Sequence, residues 1–146
     1  MNKDELQKFK DFALRMTTVF DITEKRRKRL RYEIEHWFDC TSIEEMPESW
    51  DNGGKDEVWP LTDQVDEFFS EHIYFDKYGG YRGSFYETIC CCMRSAIDVA
   101  TGNWSSGVIG FTVGDIRKMY PAGIPEWVSD RLELKGNEPS DRPILL

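Results

Sequence analysis

Residues 84–102, SFYETICCCMRSAIDVATG, decide how this chain is read. Ser84 and Glu87 stand in the S-x-x-E spacing of a capping box, and Gly102 supplies the left-handed stop at the far end. Between them Phe85, Ile89, Met93, Ala96, Ile97 and Ala100 recur at helical spacing and cover about half of the circumference. A helix that apolar must be packed on more than one side, so this stretch is read as the central helix of an α-dominated core.

Working back from it, Tyr78-Gly79-Gly80-Tyr81-Arg82-Gly83 breaks the pattern as a loop. Before that loop, Leu61, Val65, Phe68, Phe69 and Ile73 share one face of a helix capped by Thr62 and running to about Phe75. Residues 39–60 hold Pro47, Asn52-Gly53-Gly54 and Trp59-Pro60, a turn composition with at most a short helix near Ile43 to Met46. At the start of the chain, Leu6, Phe9, Phe12, Ala13, Met16 and Phe20 fall within roughly a 120° arc, which predicts a helix from Lys3 to Phe20 with Asn2 and Glu5 as a capping pair. A second helix over Glu24 to Phe38 carries Leu30, Ile34, Trp37 and Phe38 on one side, with Thr23 or Asp21 as its cap.

Working forward, Val108 to Phe111 suits a short strand, and Thr112 with Asp115 caps a short helix that Pro121 stops after Met119. Pro125 fits the first turn of a last helix that carries Trp127 and Val128. The reading is therefore a mainly α protein of five to seven helices, one compact domain over 1–134 with at most a short β element near Val108–Phe111, and a C-terminal tail over 135–146.

With 146 residues and 40% hydrophobic content, the chain is long enough for one real core. It lacks any long apolar run and begins Met1-Asn2-Lys3-Asp4-Glu5, so neither a membrane span nor a signal core is expected and the expected compartment is the cytoplasm. Cys40 and the adjacent Cys90, Cys91 and Cys92 lack the dispersed spacing of a disulfide framework, which also suits a reducing compartment.

No metal, cofactor or catalytic set is expected. Glu33-x-x-His36 has the one-turn spacing of metal-binding helices, yet Phe69 stands where the matching acid before His72 would be, and His72 lies within an apolar stripe. Three successive cysteines on a helix diverge by about 100° each and cannot share one ion. Cys91 falls on the polar face with Glu87, Arg94 and Asp98, where carboxylates oppose thiolate formation.

Charge is the most informative feature. The formal net charge of −8 conceals six basic and no acidic residues over 25–31, followed by one basic and fourteen acidic residues over 32–76. The block Lys25-Arg26-Arg27-Lys28-Arg29-Leu30-Arg31 has the look of a nucleic-acid contact. Helical spacing sets Asp21 against Lys25, Glu24 against Lys28, Arg29 against Glu33 and Arg31 against Glu35, which leaves Arg26 and Arg27 without such partners. Direct nucleic-acid binding through those two arginines is a minor reading, because the remainder of the chain is acidic.

The acidic belt carries the main one. Asp63, Glu67 and Glu71 lie four apart on the polar face of their helix, a like-charge ridge that does nothing for the helix itself, and Glu44, Glu45 and Glu48 extend the sign through the preceding loop. Such carboxylates can occupy a groove that normally holds phosphates, as in small acidic inhibitors of nucleases and of nucleic-acid-guided defence complexes. The expected partner is thus a basic protein, a nuclease or a nucleic-acid-guided complex, with no membrane and no direct nucleic acid. A solvated face, or internal pairing of the belt with Lys25 to Arg31, is the plain alternative.

Tyr78, Tyr81 and Arg82 supply a second candidate contact, since tyrosine and arginine are enriched in interface hot spots. The rival reading is a small-anion site in the Gly79 to Ser84 loop, with Arg82 as anion contact and Glu87 as acid or base.

Overall fold

A computed structural model describes residues 2–20, 23–40, 93, 95–102 and 111–144. Five helical segments make up most of this part: α1 (Lys3–Met16), α2 (Glu24–Cys40), α3 (95–101, with Met93 also helical), α4 (Val113–Met119) and α5 (Glu126–Leu132). The fold is mainly α. No strand occurs among the described residues, and the one β feature is an isolated antiparallel bridge between Thr112 and Pro143. Of the expected strand Val108–Phe111, only Phe111 lies within the described residues. Its carbonyl accepts from the Ile144 amide at 2.7 Å beside that bridge.

The first helix begins where the sequence says it must. The Asn2 side chain accepts from the Glu5 amide at 2.8 Å and Glu5 reaches back to the Asn2 amide, a complete capping box. Its expected run to Phe20 is cut short, because the helix stops at Met16. Thr17 and Thr18 turn their hydroxyls onto the Leu14 and Arg15 carbonyls at 2.6 and 2.7 Å, a local bond that competes with continued helix. Phe20 stays apolar outside the helix by packing edge-on against Phe111, with centroids 5.6 Å apart.

α2 starts as expected, with the Thr23 hydroxyl accepting from the Arg26 amide at 3.3 Å, and runs two residues beyond Phe38. α1 and α2 pack face to face through Phe9, which meets Trp37 and Phe38 at centroid distances of 5.7 and 4.7 Å. Edge-to-face contacts of this kind add about 0.5–1.5 kcal/mol each beyond area burial.

α3 is more central than its sequence pattern implies. Every described residue from 95 to 100 is buried, Ser95 and Asp98 included, so this helix is enclosed all round rather than on its apolar half. It ends in the expected way. Gly102 adopts φ +78° and its amide returns to the Asp98 carbonyl at 2.8 Å. The core that α3 organises joins Phe12 and Met16 of α1, Leu30 and Ile34 of α2, Ile116 of α4 and Val128 of α5.

The segment 135–144, which sequence leaves as a tail, is built into the domain. The first three amides of α4 all find acceptors: Val113 donates to Arg142 O at 2.9 Å, Gly114 to Ser140 O at 2.8 Å and Asp115 to the Thr112 hydroxyl at 3.2 Å. A backbone strap thus does what side-chain caps normally do for a helix start. Arg117 fixes the same strap by donating to Glu138 O at 2.7 Å and Ser140 Oγ at 3.0 Å, while Ile144 is buried in the core.

Candidate interaction surface

The partner-binding residues expected from the sequence, Asp63, Glu67, Glu71, Glu44, Glu45, Glu48, Tyr78, Tyr81 and Arg82, all lie outside the described residues. So do His72, the Gly79–Ser84 loop, Glu87 and the three adjacent cysteines. Asp98, which the helical wheel assigns to a polar face, is fully buried among the described residues of α3.

The basic block on α2 is described in full, and its helix divides the cations by role. Arg27 is not without partners. Its guanidinium donates to the carbonyl oxygens of Thr17 and Phe20, the latter at 3.0 Å, and lies 3.4 Å from the Glu24 carboxylate. Sequence spacing missed this because the acceptors are main-chain atoms at the end of another helix. Glu24 goes to Arg27 three residues on, where the four-residue rule pointed to Lys28. The pair Arg29 and Glu33 is formed as expected, at 2.8 Å, and the Glu33 side chain is only 6% exposed. Lys25, Lys28 and Arg31 face outward.

One turn further along, Tyr32 is 61% exposed and lies parallel to the His36 ring, with an interplanar angle of 2° and centroids 6.0 Å apart. Their i, i+4 spacing was legible in the sequence, as a helix-surface pair. Glu35 and Asp39, both exposed, begin the acidic belt on the same helix. α2 therefore carries a charge boundary, cationic before Tyr32 and anionic after it.

A second feature is an open polar cleft of about 380 Å³ lined by Lys8, Gly102, Trp127, Asp130 and Arg131. Its cations are already engaged. Lys8 Nζ is 2.8 Å from Asp4 and 5.5 Å from the Trp127 ring centre, and Arg131 donates to Ala100 O at 3.4 Å, next to Gly102 at the negative end of α3.

Among the described residues, Tyr120 and Glu138 are moved from their ordinary titration ranges by contacts within the fold. Burial, reinforced by the Asp11 carboxylate, pushes the Tyr120 phenol well above its ordinary range. Arg15 bridges the two, chelating Asp11 at 3.1 Å, lying 4.5 Å over the Tyr120 ring and donating to Met119 O at 2.8 Å, which ties α1 to the end of α4. The Glu138 carboxyl is held below the usual carboxylate range, chiefly by the Lys135 amide at 2.6 Å and also by the Gly136 amide at 2.9 Å and Arg142 at 3.7 Å.

Among the described residues no group of three or more His, Cys, Asp or Glu side chains is placed to hold a metal ion, and no helix is long and apolar enough to cross a membrane. No family model, curated protein or solved structure matches the chain.

Proposed function

We propose that this protein is a non-enzymatic inhibitor that docks an acidic surface into the basic groove of a nucleic-acid-handling protein, in the manner of an anti-defence or toxin-immunity protein. The observation that carries the reading is the segregation of charge. Fourteen acidic residues against one basic residue over 32–76 follow directly on six cations over 25–31. One of those cations, Arg27, is engaged by main-chain carbonyls of its own chain, and Arg29 is matched by the belt's first acid, Glu33, so fewer of them are left to neutralise the other thirteen. A ridge such as Asp63, Glu67 and Glu71 raises encounter rates with a positively charged groove and competes there with phosphates.

The same use of Arg27 weighs against the block as a nucleic-acid reader, since a guanidinium that holds carbonyls of its own chain is not presented to phosphates. Affinity capture from a host lysate with the intact chain is expected to return a basic nuclease or a nucleic-acid-guided complex, whose cleavage activity the chain suppresses. The triple substitution Asp63→Lys, Glu67→Lys and Glu71→Lys is expected to abolish both capture and suppression while circular dichroism stays unchanged. Capture that survives this reversal removes the ridge as the docking surface, and a low-salt mobility shift with bare nucleic acid would favour the basic block instead.

A further inference from the structure

The outward face of α2 is complementary to itself. At 100° per residue, Lys25, Lys28, Tyr32, Glu35, His36 and Asp39 fall within an arc of about 100°. All but half-buried His36 are exposed, and Tyr32 is the one large hydrophobic side chain exposed among the described residues. The strip runs about 21 Å along the helix at 1.5 Å per residue. Its cations lie on the N-terminal side of the aromatic pair and its carboxylates on the C-terminal side.

We propose that this strip is a homodimer interface, occupied by α2 of a second copy lying antiparallel across Tyr32. A two-fold axis through Tyr32 sets residue 25 opposite 39 and residue 29 opposite 35, so Lys25 of each copy meets Asp39 of the other and Lys28 comes beside Glu35. Every pair occurs twice, as a two-fold interface requires. The exposed Tyr32 rings of the two copies meet at the centre, where water is excluded and aromatic contact counts most, and each His36 ring comes opposite Lys28 of the other copy. A parallel arrangement would set like charges against one another, so charge alone selects the antiparallel one.

Neither a nucleic acid nor a uniformly basic groove fits the strip as well. Phosphates would meet Glu35 and Asp39, and a basic groove would meet Lys25 and Lys28. One helix face of this length covers less than the ~1,200–2,000 Å² of a standard stable complex, so the dimer is weak and concentration-dependent.

Sedimentation equilibrium at ionic strength ~0.1 M, where the repulsion between two acidic chains is screened beyond about 10 Å, tests the proposal on the intact protein. The weight-average mass is expected to rise from 17.1 kDa toward twice that value as the protein approaches about 1 mM, and to fall back at high salt. Lys25→Glu with Lys28→Glu makes the strip wholly anionic, and Glu35→Lys with Asp39→Lys makes it wholly cationic. Each double variant is expected to be monomeric alone, and an equimolar mixture of the two to associate at least tenfold more tightly than wild type. Tyr32→Ala is expected to weaken the wild-type dimer about tenfold.

Both reversals place the new charges favourably for the helix dipole, acids near its start and bases near its end, so the folded state is retained and circular dichroism verifies it. A wild type that remains monomeric throughout, or self-association that is unchanged in both charge variants, overturns the proposal without recourse to any partner protein.

Discussion

Replacing Arg27 by glutamine isolates what one guanidinium does for the join between the first two helices. The native side chain donates to Thr17 O and Phe20 O, the carbonyls left over where α1 ends and the chain turns toward α2. A hydrogen bond to a charged donor contributes roughly 1.5–3 kcal/mol, and the side chain is only 18% exposed, so solvent replaces it poorly. Glutamine retains one short donor group that cannot span both carbonyls. The expected loss is about 2–3 kcal/mol, which for a chain of this size lowers Tm by about 5–10 °C.

The exposed partner contributes little by comparison. Glu24 is 72% exposed at 3.4 Å, so Glu24→Gln is expected to cost less than about 0.5 kcal/mol. Urea denaturation followed by far-UV circular dichroism measures both variants against wild type, with equal m values required for the comparison. An Arg27→Gln variant within about 0.5 kcal/mol of wild type, or a Glu24→Gln variant as damaging as it, would refute the assignment of Arg27 to the carbonyls.

Two further predictions address the C-terminal strap. Gly114→Ala places a Cβ 2.9 Å from the Ser140 carbonyl oxygen and 3.0 Å from Ser140 Cβ, so backbone has to shift; a loss of about 1–3 kcal/mol is expected, with faster amide exchange at Gly114 and Val113. Glu138 has a lowered folded pKa, so its contribution is complete above the ordinary carboxylate range and is lost as pH falls through the folded value. Stability measured from pH 7 down to about pH 3 is therefore expected to fall more steeply in wild type than in Glu138→Gln, and parallel curves would show that the Lys135 and Gly136 amides do not hold the carboxylate.

Local rules placed most of the interactions whose two halves lie within one turn, with Glu24, which takes Arg27 in place of Lys28, as the exception. The boxes Asn2 with Glu5 and Thr112 with Asp115, the stop at Gly102 and the pair Arg29 with Glu33 all follow from spacings of three to five residues, and all are present. The same rules misplaced the end of α1, because Phe20 continues the apolar stripe. Its packing against Phe111 is settled by a residue ninety-one positions away. They also gave Arg27 no partner, since a pairing rule for side chains is blind to carbonyls exposed by the end of another helix.

By itself, the sequence determined a mainly α core around the helix that ends at Gly102, and the abrupt change of charge sign between residues 31 and 32. Tertiary structure decided three things. Asp98 is buried, because α3 is enclosed on the side its polar residues share. The stretch from 135 to 144 caps α4, because three amides at a helix start need acceptors and the returning backbone supplies two of them. Arg27 works inside the fold while Lys25 and Lys28 face outward, because a helix fixes the direction of each side chain, and the neighbouring helix decides which directions end in protein and which in water.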